Sequence, residues 1–520
     1  MMPDAAAPAR AGTPDEEWGR LNPRLLLVNL SVIGTPLATF AATLLLDDGR
    51  VTLQVLITLG TLLITALVIA GIGLMRLATT RYRVTADRVE VHRGRFFRSE
   101  RSVPADRIRS VDLTANPLHR IFGLTSLKVA TGDQGSADGG LSLDGLSLAD
   151  AAALRRRLTE LRRTAQGVHH PEADADPTIA ELDWAWLRYA PLTLWGVGGV
   201  FIAAGSVYRT LHEMKIDPLE LGIVKDLQQR FGSVPLWYGL LVAALVVVAV
   251  GVAGSTATFI EGWGGYRLDR EEPGLLRVRR GLLITRSVSI EEQRLRGAEV
   301  AEPLLLRWAG GARVKAVASG LGDEDENSSR SRLTPPVPLA LARRVAADVL
   351  GETVAPTTAA QLAPHPRAAL RRRINRAVIW SAAAAALLAG PGLWLTPALV
   401  HAGWITGLVL LAAGTALAYD AYRNLGHAVH GRYLVTRSGT FTRRTAAVRR
   451  DGIIGWSITR SPFQRRAGLL TLGAAIAAGT GVYKVRDVAV ADGLALAEEA
   501  VPDLLAPFLE HRPRTTAGTQ

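Results

Sequence analysis

Arginines set beside long apolar stretches are the side chains in this chain best suited to chemistry, because a guanidinium there can meet an anionic lipid headgroup. Arg81 and Arg83 follow one such stretch and Arg432 follows another. Near a negatively charged leaflet each cation gains about 1 kcal/mol. The same residues also serve the simpler rule that basic side chains stay on the inner side. Arg93, Arg95, Arg98 and Arg101 form a loose basic strip, which fits a phosphate contact or an edge strand protected by charge. The basic residues lack interleaved aromatics, so nucleic acid is not an expected partner. His427 and His430 are three apart, His169 and His170 are adjacent, and His119 stands by itself. None of them has a third ligand placed beside it, so neither a metal nor a cofactor is expected. The chain contains no cysteine, which excludes disulfides, thiolate catalysis and cysteine-ligated metals. It also has no Ser/His/Asp arrangement, glycine-rich phosphate loop or metalloprotease motif. It is therefore expected not to be an enzyme.

The elements that position these arginines are six apolar stretches free of Asp, Glu, Lys and Arg: residues 25–46, 51–75, 189–208, 234–260, 377–400 and 402–419. A helix rises about 1.5 Å per residue and the hydrocarbon layer is about 30 Å thick, so about 20 residues suffice to cross it. Asp15, Glu16 and Glu17 precede the first stretch and argue against a cleaved signal. Tight turns at 46–51 and 400–402 make the first and third pairs hairpins, while residues 209–233 join the middle pair. In that joining segment Leu219, Ile223, Leu227 and Phe231 recur at four-residue intervals, the pattern of a helix lying on the outer leaflet as a spacer or a peptide-sensing surface. Each hairpin returns the chain to one side. The long polar segments there carry Arg76, Arg88, Arg371, Arg372, Arg373, Arg376 and Arg423, so that side and both termini are expected to be cytoplasmic. Spans without ionisable groups argue against a pump. A lipid or peptide transporter would require a polar, water-accessible cavity between the helices.

Composition agrees with a multi-pass cell-membrane protein. The 520 residues are 48% hydrophobic, with 60 basic and 47 acidic side chains and only five lysines. Arginine replaces lysine even where no pattern calls for it, as codon drift in a GC-rich genome would produce.

The chain repeats itself. Arg81-Tyr82-Arg83-Val84-Thr85 follows the first hairpin, Arg432-Tyr433-Leu434-Val435-Thr436 follows the third, and Tyr266-Arg267-Leu268-Asp269 occupies the same place after the second in degraded form. Pro117, Arg120 and Gly123 recur at identical spacing as Pro462, Arg465 and Gly468; the middle version is Pro303, Arg307 and Gly310, shifted by one residue. Trp18-x-Arg20-x-x-Pro23 recurs as Trp186-x-Arg188-x-x-Pro191 before the first and second hairpins. Alternation of Val84, Val89 and Val91 about turns at Ala86-Asp87 and Gly94 reads as short antiparallel strands. Helical patterns at 149–163, 338–350 and 493–509 close the three units.

With these motifs in place, the chain resembles the bacterial pleckstrin-homology-like (PH-like) membrane proteins of the YdbT type. The resemblance implies an α+β membrane protein: six transmembrane helices in three hairpins, plus three PH-like domains, each a small β-barrel or bent sheet with a C-terminal helix. The expected layout is a disordered or interfacial N-terminus (1–24), a hairpin (25–75), a PH-like domain (78–164) and a linker (165–183). A second hairpin (189–260), domain (263–351) and linker (352–370) follow, then a third hairpin (377–419), domain (427–511) and tail (512–520). The resemblance further implies a non-enzymatic scaffold that binds headgroups, a protein partner or its own domains, with a role in envelope stress or in resistance to membrane-active peptides. The expected partners are the bilayer and a smaller PH-like membrane protein. The middle copy lacks the Val-Thr and carries an acidic, Ser-rich loop at 323–331, so its binding activity is expected to be lost.

Overall fold

A computed structural model describes residues 18–508 except 32–33, 35–36, 38–40, 42–52, 86, 95–98, 106–107, 116, 132–139, 167–177, 193–204, 206–208, 210–235, 273 and 320–328. Most of the expected first and third spans, and the outer segment beyond Arg209, therefore lie outside the described residues.

One strand-and-helix plan recurs three times. The first copy runs β1 (Gly19–Arg20), the helices Leu25–Ser31 and Leu53–Thr79, then β2 (Arg81–Val84), β3 (Arg88–Arg93), β4 (Ser99–Pro104) and β5 (Ile108–Ala115). A five-residue helix, Pro117–Ile121, leads into β6 (Leu124–Thr131), β7 (Gly140–Ser147) and the closing helix Leu148–Gln166. The second copy places β8 (Thr178–Glu181), the 3-10 turn Trp184–Leu192 and the helix Leu236–Trp263 before β9 (Arg267–Glu272), β10 (Leu275–Arg280), β11 (Thr285–Glu291) and β12 (Leu295–Pro303). The helix Leu304–Trp308, β13 (Gly311–Ala318), β14 (Val337–Pro338) and the helix Leu339–Leu350 complete it. The third has helices Arg367–Gly392 and Pro397–Arg423, then β15 (Gly426–His430), β16 (Tyr433–Ser438), β17 (Thr442–Arg449) and β18 (Ile453–Thr459). It ends with Pro462–Arg466, β19 (Leu469–Ile476), β20 (Val482–Ala489) and Val490–Ala500.

Sequence period explains each element. On β3, Val89 and Val91 are buried while Arg88 is exposed, the two-residue alternation of a half-buried strand. On the closing helix, Ala151, Leu154 and Leu158 fall on one face and reach the core shared with Val84, Val103, Leu124, Leu127 and Leu143. Both sheets of the first copy feed that core, so the bent-sheet alternative describes it better than a closed barrel.

Two compact units divide the chain: Met1–Glu181 with Glu261–Ile290, and Leu182–Ile260 with Glu291–Gln520. They do not follow the expected domain boundaries. In the first unit the sheets run β1-β2-β3-β4 and β7-β6-β5-β11-β10-β9-β8; in the second they run β14-β13-β12-β17-β16-β15 and β18-β19-β20. The second half of copy one thus shares a sheet with the first half of copy two, and copies two and three do the same. Strand edges drive this, because each copy presents an unsatisfied row of backbone donors and acceptors that its neighbour pairs. The expected linkers are also partly structured. Residues 178–181 form β8, which pairs with β9, and Ala363 bridges to His427 before the helix that begins at Arg367.

Among the described residues, four helices are long and apolar enough to cross a membrane: Leu59–Thr79, Ala244–Trp263, Arg367–Gly392 and Pro397–Arg423. Most of their large side chains stand outside any protein core, as Leu67 (73% exposed) and Leu387 (76%) do, whereas Phe259 is buried. Two corrections concern span limits. Tyr189, expected to open the third span, is 2% exposed and packs beside Gly311 of β13. The last hairpin turns at residues 393–396 rather than at 400–402, because Pro391 and Gly392 end one helix and Pro397 starts the next. Its two helices meet through small residues. A Cβ at Gly403 would stand 2.8 Å from the Ala389 nitrogen and 2.9 Å from the Ala385 carbonyl, and one at Gly407 would stand 2.7 Å from the Ala385 Cβ.

Gly403→Ala should therefore destabilise the full-length protein in detergent by about 1–3 kcal/mol, since backbone on the facing helix must move. Gly390→Ala, which meets nothing within 4 Å, should not. Thermal unfolding of the two variants side by side checks this, and equal losses would contradict the packing.

Candidate functional site

Strand pairing sets the frame in which the expected site residues have to be placed. Arg20 on β1 faces Arg81, Glu181 on β8 faces Arg267, and Ala363 faces His427. Arg81, Arg267 and His427 are therefore equivalent, and the Arg-Tyr-x-Val-Thr match is a slip of one strand. Tyr82 lies on the first strand after its span, whereas Tyr433 lies buried on the second. Thr85 closes the β2–β3 turn by bonding the Arg88 carbonyl at 3.1 Å, while Thr436 is buried in mid-strand opposite His427. Tyr266, just before β9, is buried with its ring edge-on to Trp263, the centroids 5.6 Å apart. Period-2 strands look alike after such a slip, which is why the motif misled.

The tryptophan motif is out of frame as well. Asn22 Oδ1 accepts from the Arg24 N–H at 3.0 Å and Asp183 Oδ1 from the Ala185 N–H at 2.8 Å, so Asn22 corresponds to Asp183, seven residues before the position the motif spacing implies. Trp18 packs on His92 with centroids 4.4 Å apart, and Arg20 and Pro23 are exposed. Trp186 is buried in the 3-10 turn that also holds Pro191, and there the Arg188 guanidinium donates to the Tyr189 hydroxyl at 2.9 Å.

Of the proposed headgroup contacts, Arg81 is exposed just past the end of Leu53–Thr79. Arg83 is already engaged: it donates to Glu90 at 2.9 Å and lies 4.9 Å from the centroid of the Trp18 ring. Arg432 is a correction. It occupies the β15–β16 turn, a strand of about 16 Å beyond the span, and pairs there with Glu352 at 2.9 Å. Arg93 donates to the Ser142 carbonyl, while Arg95 and Arg98 lie outside the described residues.

The proline-to-glycine segment is in frame in every copy, and it builds the site. Pro117, Leu304 and Pro462 each begin a five-residue helix, Pro303 being the residue just before its own, which accounts for the one-residue shift. Gly123, Gly310 and Gly468 follow with φ of 68°, 72° and 66°, a left-handed conformation that favours glycine. Each glycine N–H bonds the arginine carbonyl three residues back, at 3.0, 3.0 and 3.2 Å for Arg120, Arg307 and Arg465. Each glycine carbonyl accepts the first N–H of the closing helix, from Leu148, Leu339 and Val490.

Around this segment the spans are seated on the sheets. In the first unit, Leu25 packs against Gly145, a left-handed position on β7, and the Gly145 carbonyl accepts the Asn22 N–H at 2.9 Å. In the second unit the equivalent residue is Asp487, also left-handed (φ 58°) and 2% exposed. Its carboxylate accepts from Arg372 at 2.5 Å and Arg373 at 3.0 Å, both in the first turns of Arg367–Gly392, and from Gln464 at 2.9 Å. Gln464 in turn completes a capping box with Ser461. The returning helix is held too: Arg307 donates to both oxygens of Asp420 at 2.8 Å, and Asn424 adds a third bond to that carboxylate. In the first unit the Arg120 guanidinium reaches the Leu282 carbonyl, in a turn whose N–H groups at Leu283 and Ile284 bond the Glu261 carboxylate at the end of its span. Arg371, Arg376 and Arg423 remain exposed at the foot of the last hairpin. Asp487, Asp420 and Glu261 escaped the sequence reading. The available signals were one acid in a strand whose other charges are basic, and single acids in the last turns of apolar helices.

A histidine pair lies in the same seat. His365 and His427 are buried edge-to-face with centroids 4.9 Å apart, and the Tyr422 hydroxyl donates to the His365 carbonyl at 2.9 Å. Burial, with His427 and Arg373 adding to it against Asp487, pulls His365 down to about 4. Burial lowers His427 as well, opposed by Asp492 and Glu499. His430 is exposed on the other face of β15, so the His427/His430 spacing does not form a ligand pair. Among the described residues no three His, Asp or Glu side chains are grouped to hold a metal.

Comparison with known proteins agrees with this architecture. The bacterial PH domain family matches residues 32–162 and 382–500, each match beginning in an apolar span and ending in a closing helix. The spans, sheets and matches together define a transmembrane protein built on bacterial PH domains. Within that class the chain is similar to the UPF0699 transmembrane protein YdbT of Bacillus subtilis, to which it is 23% identical over 424 residues, covering 79% of this chain and 83% of that protein. No solved structure matches. The middle copy, outside the family match, follows the same order of strands and helices.

Two outcomes test the seat. Asp487→Ala leaves Arg373 buried without its partner and should cost about 3–5 kcal/mol of stability; removing Arg372 and Arg373 as well should recover part of that loss, read from unfolding of the full-length chain. For the histidines, the folded state binds protons less readily than the unfolded chain, whose ordinary value is about 6.5. Stability is therefore full above about pH 6.5 and falls as pH drops toward 4, by on the order of 3 kcal/mol through His365. His365→Leu should flatten that part of the stability–pH curve, and an unchanged slope would remove the assignment.

Proposed function

We propose that this protein is a non-enzymatic membrane scaffold whose PH-like domains lie on the cytoplasmic face, held there by three hairpins with both termini inside. The observation that carries it is the seat: buried or shared charge pairs, Arg372 and Arg373 with Asp487 and Arg307 with Asp420, lock spans to sheets so that hairpin and domain move together. Such coupling suits a protein that reports on, or reinforces, the bilayer. Envelope stress and resistance to membrane-active peptides are roles of that kind. The close Gly403–Ala389 packing leaves little space within the last hairpin, which supports a scaffold over a transporter.

The exposed cations at the foot of that hairpin are the proposed headgroup contacts. Arg371, Arg376 and Arg423 replace Arg83 and Arg432 in this role, because the latter two already hold carboxylates. Three such charges near an anionic surface contribute about 3 kcal/mol.

Changing Arg371, Arg376 and Arg423 together to Gln should lower retention of phosphatidylglycerol relative to phosphatidylcholine by about 100-fold, as measured by native mass spectrometry of the full-length protein from mixed micelles. Arg83→Gln should leave retention unchanged. Equal retention by the triple variant and the parent would sink the headgroup reading.

A further inference from the structure

Two seams inside the chain use the same two kinds of edge in the same register. β5 pairs with β11, placing Ala115 opposite Thr285, and β12 pairs with β17, placing Glu302 opposite Arg443. In each case the first partner lies eight residues before the left-handed glycine, Gly123 or Gly310, and the second lies four after the turn glycine, Gly281 or Gly439. Each seam also sets the short helix on the next copy's turn: Arg120 reaches the Leu282 carbonyl, and the Leu304 N–H bonds the Phe441 carbonyl at 2.7 Å.

Each series has one member left over. β18 stands where β5 and β12 stand in their copies, and β4 where β11 and β17 stand, yet each is the outermost strand of its sheet among the described residues. The side chains register the missing neighbour. Val300 in the second seam is 3% exposed, whereas its equivalent on β18, Ile458, is 43% exposed; Ile454 on the same strand is 69% exposed and Phe463 on the short helix beyond is 65% exposed. On β4, Pro104 falls one place beyond the end of the ladder used in the second seam, since its equivalent Arg449 is unpaired with β12, so proline there removes no seam bond.

We propose that copies of this protein join head to tail, β18 of one chain pairing antiparallel with β4 of the next and extending the series of seams. The occupant is a second copy because every chain carries both edges and the required register is already built twice within it. The contact is heterologous, so it generates a ring or an open row of molecules in the membrane. The inference rests on sheet topology and is independent of the headgroup contacts above. The internal register puts Thr459 opposite Ser99, Ile458 opposite Glu100 and Ser457 opposite Arg101.

The natural chain has no cysteine, which makes the test direct. Full-length Thr459→Cys and Ser99→Cys chains, differently tagged and co-expressed, should form a mixed disulfide on mild oxidation in native membranes. The out-of-register combination of Ser457→Cys with Ser99→Cys should give at least several-fold less, and Ile458→Lys added to the first pair should suppress the product while thermal unfolding stays near the parent's. Three results would overturn the proposal: no mixed product, cross-linking of Thr459→Cys chains to one another, or cross-linking of that position only to a different membrane protein.

Discussion

A β-strand at the edge of a sheet exposes a row of backbone donors and acceptors that must be paired or hydrated, and the architecture of this protein follows from that requirement. Each repeat bends into two short sheets and so creates two edges, one on its third strand and one on its fourth. The chain covers four of these by pairing β5 with β11 and β12 with β17. A repeat protein of this sort is not beads on a string. Its middle copy is divided between its neighbours, and the compact units cut through it at Glu261, Ile290 and Glu291.

The same arrangement binds soluble structure to the bilayer helices. Where the first copy uses Leu25 against Gly145, the third uses Arg372 and Arg373 against Asp487, so one position on the last strand serves as the seat with two chemistries. A charge pair is the more specific of the two, since a single guanidinium or carboxylate left in that buried place would be strongly unfavourable. Apolar packing tolerates small shifts; a carboxylate taking three hydrogen bonds does not. The last hairpin is thus fixed to its sheet in angle as well as in position, and its returning helix is fixed again through Asp420.

How much of this was legible in the sequence depended on the range of the constraint. The segment from Pro117 to Gly123, with its two repeats, was readable because proline and a left-handed glycine are demanded locally by a five-residue helix and its exit. The four spans that the described residues contain were readable because hydrocarbon imposes length and composition on contiguous residues. Strand identity was not, since Tyr82 and Tyr433 sit on different strands of the same plan and alternation alone cannot distinguish them. The seats were not either, because Asp487 meets arginines more than a hundred residues earlier in the chain and Asp420 meets Arg307 from the preceding copy. Pairing between copies is longer in range still, and no local pattern encodes it.

One question remains for any chain that repeats its edges: why β12 pairs with β17 and not with β11, which has the same shape. The opposed residues answer it. In the second seam Glu302 meets Arg443, and Glu299 lies 3.9 Å from Arg444, with both carboxylates nearly buried. In the first seam the positions matching Glu302 and Arg443 are Ala115 and Thr285, whereas those matching Glu299 and Arg444 are Asp112 and Arg286, so the Glu302–Arg443 pair is the one that tells the seams apart. Placing β12 against β11 would set Glu302 beside Thr285, leaving a buried carboxylate without its cation, a penalty of several kcal/mol. Pairing β5 with β17 would strand Arg443 against Ala115. The Glu302–Arg443 pair adds less to stability than to address, making each wrong seam costly while leaving the right one nearly neutral. Duplicated edges can then coexist in one chain and still find their own partners.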